Sequence, residues 1–531
     1  AHTFAYNAVN LSTAYTPPTV PGGGATGTAY NADQQVTRVT RPDGGTLDYG
    51  YDSAGRLSAF SIPAGQYGYS YNAVSQLSGI TAPGGVTLAY AHDGTLLTGV
   101  TWSGPVAGSV NYGHDNDFRV NQITVNGADP VVYQYDADSL LTAAGSLTLA
   151  RDGQNGLLTG TALAGATETY SYNSFGEVSG YTGKHGAASL LDIVYTRDKL
   201  GRITQKVETA QGATTTYDYA YDVIGQLSEV RQNGSVAATY GYDANGNRLS
   251  KTGPGINESG SYDAQDRMTG YGGATYSYSA NGELQSKAQG GQTTTYDYDA
   301  LGNLRQVTLP GGTQIEYLID GQNRRVGKKV NGTLVQGFLY QGQLRPAAEL
   351  DGSGNVVSRF VYAIGVNAPD YLVKGGQTYR LLKDHLGSPR LVVNTATGAI
   401  AQRMDYDEYG KVANDTNPGF QPFGFAGGIY DRDTGLVRFG SRDYDAGSGR
   451  WTVKDPIGFD GEDSNLYAYV GNDPVNLVDP AGLCYSYADL AIDVGSLAIG
   501  GVSLKVGYFL VVKGLERIAA KRLAAQVLSR G

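Results

Sequence analysis

One unit recurs along most of this chain and limits what it can fold into: a Tyr-x-Tyr-Asp step followed shortly by a Gly-x-Leu step. It reads Tyr49-Gly50-Tyr51-Asp52 with Gly55-Arg56-Leu57, then Tyr219-Ala220-Tyr221-Asp222 with Gly225-Gln226-Leu227. It returns as Tyr240-Gly241-Tyr242-Asp243 with Asn247-Arg248-Leu249, and as Tyr296-Asp297-Tyr298-Asp299 with Gly302-Asn303-Leu304. Most neighbouring units lie 20 to 25 residues apart. Self-similarity at such a period marks a stacked repeat rather than a string of separate domains.

Residue type gives each unit its shape. Tyr-x-Tyr sets two large rings on one face of a strand, because side chains alternate with period two. The Asp or Asn that follows bonds its own backbone in a turn, and the glycine supplies positive φ. A second strand then opens with Arg or Asn and Leu or Val. Each unit is thus a hairpin of two strands of roughly ten residues that cannot bury both faces alone. Stacked hairpins make one long sheet, and a sheet of that many strands curls. The reading is an all-β, superhelically wound sheet in which tyrosines and leucines stack in ladders with a packing role.

Composition agrees. Hydrophobic residues at 40% suffice for a core, and charged residues at 17% fall below the usual quarter of a globular domain. The 77 glycines have no every-third period, which excludes collagen. One cysteine, Cys484, excludes an intrachain disulfide or a multi-cysteine metal site. The five histidines include no pair at metal-ligand spacing, and no Gly-x-x-x-x-Gly-Lys-Ser/Thr phosphate loop occurs, so no cofactor is expected. The net charge of −10 is spread rather than blocked, which speaks against nucleic-acid binding by the body of the chain. The last 48 residues differ, carrying +3 against −13 for the rest.

From about residue 380 the repeat gives way to a different block. It runs Asp384-His385-Leu386-Gly387-Ser388-Pro389-Arg390, Tyr430-Asp431-Arg432-Asp433-Thr434-Gly435-Leu436 and Arg438-Phe439-Gly440-Ser441-Arg442-Asp443-Tyr444-Asp445. Next come Gly449-Arg450-Trp451, Lys454-Asp455-Pro456-Ile457-Gly458-Phe459, Asn472-Asp473-Pro474 and Asp479-Pro480-Ala481-Gly482-Leu483. Residues 25 to 340 resemble the YD-repeat proteins, the rearrangement-hotspot (Rhs) and teneurin group, and the later block resembles the Rhs repeat-associated core. One departure is Ala446, where that family usually has proline.

The resemblance implies a hollow YD-repeat β-shell, a cocoon, over 1–379, an Rhs core acting as an autoprotease cap over 380–483, and the start of a variable toxin over 484–531. In that family the backbone is cut after Asp-Pro-x-Gly-Leu, here between Leu483 and Cys484. By carry-over Asp455 and Asp479 become candidates through their Asp-Pro motifs, and Arg442 and Asp443 through the Arg-Asp pair before them. Two carboxylates in hydrogen-bond reach do not both ionise easily, and such a pair can activate a water against an amide. Asp455 is the residue expected to be indispensable, with Asp479 or Asp443 as its partner and Arg442 orienting a carboxylate or stabilising charge. His385 and Cys484 are read as structural.

The partners so implied are the chain's own C-terminal toxin as cargo, a type VI spike or Tc-like injection apparatus, and a cognate immunity protein. The expected setting is a secreted or injected bacterial effector made in the cytoplasm. No signal peptide is visible at Ala1, and the chain opens mid-pattern, as a processed or truncated product would. Residues 486 to 528 are read as a short helical C-terminal tail, with Val494 to Val512 as a membrane candidate. The rival from another class is a cell-surface adhesion or carbohydrate-binding protein of the same repeat without proteolysis. A further rival is a shell whose core is inactive.

Overall fold

Forty strands, from Thr3–Tyr6 to Val412–Asp415, form one sheet in which each strand pairs antiparallel with its sequence neighbours. The computed structural model describes residues 1–461 and 463–487. The architecture is the all-β wound shell that the repeat dictates.

Each Tyr-x-Tyr-Asp step turns the chain with its own side chains. At Asp52 one carboxylate oxygen accepts the N–H groups of Ala54 and Arg56, both at 2.9 Å, and the other accepts Arg56 Nε at 2.8 Å. Gly55 closes the turn at φ +74°, a conformation that favours glycine. Asp115 and Asp198 repeat the arrangement. The second tyrosine of a step reaches back one unit. Tyr51 donates its hydroxyl to Val36 O at 2.8 Å, Tyr135 to Val120 O at 2.8 Å and Tyr242 to Leu227 O at 2.7 Å. Arg56 lies 4.4 Å over the Tyr71 ring and Arg119 lies 4.7 Å over Tyr135, so guanidinium and ring stack between units. A Tyr135→Phe variant loses one such bond and is expected to lower stability by about 0.5–1.5 kcal/mol in a denaturant titration.

The strands run from 4 to 10 residues, mostly shorter than the ten expected from the period. The turn consumes the difference, together with a one-residue register shift before the second tyrosine, as between Gly50 and Tyr51.

Contacts across the sheet show how it winds. Gln265 donates to Pro18 O, 247 residues away, and Arg41 pairs with Glu283, 242 away. Trp102 Nε1 donates to Asp320 at 3.1 Å across 218 residues. Further along, Arg380 pairs with Glu168 at a separation of 212, Arg390 with Glu208 at 182 and Lys251 with Asp407 at 156. The offsets do not change steadily, since Arg359 reaches Ala128 O across 231 residues, and each contact joins one winding of the sheet to the next. In most of these contacts the Asp-turn edge of the later winding rests on the plain-turn edge of the earlier one. Leu301 in the turn after Asp299 packs in this way against the first winding. Val74, Leu200 and Ile224, at the matching turn position of the first winding, are exposed.

The sheet runs unbroken past residue 380, and the architecture changes after Asp415. A small sheet of Ile429–Asp431, Leu436–Phe439, Arg442–Asp445 and Arg450–Trp451 then forms a cap. Its core is aromatic: Tyr444 and Tyr469 lie 4.4 Å apart and Trp451 and Tyr469 5.5 Å apart, with Phe425, Phe439 and Ala446 around them. Buried ion pairs tie the cap to the shell, among them Asp443 with Arg325 at 2.8 Å and Asp431 with Lys328 at 2.7 Å.

The helix expected from residue 486 is not present at its first two residues. Ser486–Tyr487 instead pairs as a strand with Leu477–Val478, which closes a hairpin. The rest of that expected helix, with Val494 to Val512, lies outside the described residues. Among the described residues no helix is long and apolar enough to cross a membrane.

Candidate functional site

The loop closed by this hairpin runs from Asp479 to Tyr485 and contains the Leu483–Cys484 bond. It is strapped to the cap at successive backbone groups. Asn367 Nδ2 donates to Pro480 O at 3.1 Å, Ser441 N to Ala481 O at 2.9 Å and Arg442 Nε to Gly482 O at 2.7 Å. Asp479 folds back so that its Oδ1 accepts the Leu483 N–H at 2.9 Å. Gly482 takes φ +65°, and a Cβ there would lie 2.5 Å from Phe439 O, so the loop needs glycine at this position.

Arg442 organises the surroundings. Its Nη2 lies 2.8 Å from Asp455 Oδ2 and 3.2 Å from Asp479 Oδ2, which brings two of the candidate carboxylates onto one guanidinium nitrogen. The guanidinium rests 4.2 Å from the centre of the Trp451 ring, which fixes its plane. Asp455 also accepts the Ile457 N–H at 3.0 Å, a turn bond of the kind used throughout the shell. Burial pushes the Asp455 carboxyl up to about 6 against the pull of Arg442, and the nearby Asp479 adds to the rise. Burial likewise lifts Asp479 to about 6.

Asp443 lies elsewhere. Neighbouring residues of a strand face opposite ways, so Arg442 turns to the loop while Asp443 turns into the shell. There it is held by Arg325 at 2.8 Å and Arg438 at 3.0 Å. Cys484, within the loop, is half-buried. His385 accepts the Tyr195 hydroxyl at Nδ1 (3.1 Å) and donates from Nε2 to Val475 O (2.7 Å). Burial depresses that imidazole to about 3, so it stays neutral as a strut between shell and cap.

Three residues here were not among the site residues expected from the sequence. Asp463 shares a small cavity with Arg442, Asp455, Asp479 and Leu483, and burial raises its carboxyl. Trp451 supplies the shelf for Arg442. Gly461 stands at the centre: a Cβ built there would lie 2.9 Å from both Asp455 Oδ2 and Leu483 O. The one hint in the sequence is the acid-dense run Asp460-Gly461-Glu462-Asp463. Among the described residues, no cluster of three His, Cys, Asp or Glu side chains is placed to hold a metal ion.

Comparison with known proteins identifies the shell. The sequence matches the family described as Teneurin YD-shell over residues 2–475. Teneurin-3 of Danio rerio is 30% identical over 297 residues, covering 53% of this chain and 11% of that protein. Teneurin-4 of Homo sapiens is 29% identical over 397 residues, covering 71% of this chain and 14% of that protein. The chain therefore spans a small part of these relatives. The crystal structure of TcdB2-TccC3 superposes with a TM-score of 0.71 at 17% identity, over 91% of this chain and 29% of that one. At that identity the likeness shows the fold.

Proposed function

Because this chain belongs to the teneurin YD-shell family, we propose that it is a cargo-enclosing shell that cuts its own backbone once, between Leu483 and Cys484, to free the segment that follows. The observation that carries this is the meeting of Asp455 and Asp479 on Arg442 beside the loop that ends in Leu483. The fold shared with TcdB2-TccC3 supports the further reading that the freed segment is a toxin. Such a toxin is delivered by a type VI or Tc-like apparatus and countered in its producer by an immunity protein.

The chemistry follows from two carboxylates that share one proton. The ionised member takes a proton from a water as its oxygen bonds to the Leu483 carbonyl carbon. The protonated member donates to the carbonyl oxygen. Collapse breaks the C–N bond, and a proton passes to the Cys484 nitrogen. Arg442 keeps the two carboxylates together and, through Gly482 O, holds the loop against them. Hydrolysis consumes one water and leaves a Leu483 carboxylate and a Cys484 amine.

A pair that works with one proton is best populated near the value of about 6 found for both groups. Above it the proton-bearing form declines by about tenfold per pH unit. Cleavage is therefore expected to quicken as pH falls from 8 to 6 and to slow again below 5. The check is a time course of cell-free synthesised chain moved into buffers across that range. The released segment would also begin with the only cysteine of the sequence. A terminal amine and thiol on one residue condense with 2-cyanobenzothiazole, whereas an internal cysteine does not.

The same contacts favour one other reading, a clamp that holds the end of an uncut shell, as a surface adhesion protein would require. Its mark is a chain that stays whole under denaturing mass spectrometry.

A further inference from the structure

The cavity bounded by Arg442, Asp455, Gly461, Asp463, Asp479 and Leu483 is very small. The space open to the centre of a water is about 10 Å³, close to the least that one water molecule needs. It is polar and walled by three carboxyls and a guanidinium, the kind of site that holds water rather than staying dry.

Gly461, one of the residues that line it, has no side chain. A Cβ at Gly461 would point between Asp455 Oδ2 and Leu483 O and lie 2.9 Å from each. The two oxygens are therefore no farther apart than the sum of those distances, with nothing larger than a hydrogen atom on residue 461 to separate them. The backbone at Gly461 does not require glycine, since its φ lies outside the left-handed region where L side chains are strained. Glycine at 461 is thus required by the space in front of it and not by its conformation. Gly435, in the turn that follows Asp431 and away from this cavity, is the reverse case: φ is +73° and a Cβ there would meet nothing within 4 Å.

We propose that Gly461 is a positioning residue whose missing side chain makes the place for the hydrolytic water, between the Asp455 carboxylate and the Leu483 carbonyl. This rests on the self-cleavage reading and adds where the water stands. From there it can give a proton to Asp455 and approach the Leu483 carbonyl carbon, the new C–O bond forming as described above. A methyl group at 461 occupies that space and holds carboxylate and carbonyl apart.

The test compares wild type, Gly461→Ala and Gly435→Ala as full chains made in a cell-free system. Cleavage is followed by intact mass and thermal midpoint by calorimetry. Wild type made in ¹⁸O-water should carry one heavy oxygen on the new Leu483 carboxyl. Gly461→Ala should cut at least about 100-fold more slowly, the scale of loss that a misplaced reactant brings, with a midpoint near that of wild type. Its residual cleavage should follow a pH profile displaced upward, because the methyl dries Asp455 further. Gly435→Ala should lose stability through backbone strain yet cut at the wild-type rate. The proposal is overturned if Gly461→Ala cuts within threefold of wild type, or if both alanine variants slow the cut equally, which would mark a general effect of a loosened cap. Cleavage of wild type without ¹⁸O uptake overturns the water and leaves self-cutting intact. A wild-type chain that never cuts overturns the self-cleavage reading and this inference with it.

Discussion

Replacing Asp455 with Asn leaves one 55.9 kDa chain, where wild type yields separate species ending at Leu483 and beginning at Cys484. The substitution is close to isosteric. Its amide oxygen still accepts the Ile457 N–H, which Asp455 accepts at 3.0 Å, so the turn persists. What disappears is a group able to take and return a proton. Loss of a positioned acid–base group costs typically 10²–10⁴-fold, and here the pair works as a unit, so the upper end, about 10⁴-fold, is expected. Intact-mass spectrometry of denatured protein reads the outcome directly. Asp479→Asn should act in the same direction. A wild-type chain that is as whole as the variants would give the Arg442 cluster to the clamp.

Asp443→Ala produces the largest loss of stability, and for a different reason. The carboxylate is fully buried and balances Arg325 at 2.8 Å and Arg438 at 3.0 Å, both almost completely out of solvent. Removing one partner of a buried ion pair leaves an uncompensated charge, which costs about 3–5 kcal/mol. Two guanidiniums share this carboxylate, so the loss should fall at the top of that span. It should appear as a lower thermal midpoint with the cap detaching first. Arg325 also stacks 3.6 Å from the Tyr317 ring centre, so the strain spreads into the shell beneath. The contrast with Asp455→Asn separates the two roles. One variant should remain folded and uncut, and the other should fail to cut because its cap is loose.

Much of this was legible in the sequence because the repeat is local. The Asp52 turn is written within five residues, and the reach of Tyr51 to Val36 within one period, so period and residue type suffice to give a sheet of hairpins. Contacts between windings are another matter. Nothing near Glu168 announces Arg380, 212 residues on. Whether Asp479 or Asp443 joins Asp455 was open for the same reason. Asp443 follows Arg442 directly while Asp479 lies in a loop 37 residues beyond it, and which of them meets Asp455 is set by packing of the cap against the shell. Gly461 and Asp463 escaped notice because they sit between motifs. One acts by having no side chain, and a chain with 77 glycines offers no way to rank one above another.

The winding of the sheet has a consequence in time. Every strand pairs with the strand made just before it, so the sheet can lengthen hairpin by hairpin as the polypeptide leaves the ribosome. The first contacts between windings must wait more than 240 residues, until Gln265 and Glu283 exist to meet Pro18 and Arg41. Later ones wait for other lengths of chain, 231 residues for Ala128 and Arg359 and 156 for Lys251 and Asp407. The loop at Leu483 follows the whole sheet, and Phe459, between Asp455 and Gly461, meets His2 and Tyr15 at 5.1 and 6.1 Å, beside the sheet's first pair of strands. The neighbourhood of the Leu483–Cys484 bond is completed by the joining of the Thr3–Tyr6 and Ser12–Thr16 hairpin to a turn made after the sheet, so its formation records that the winding between them is finished.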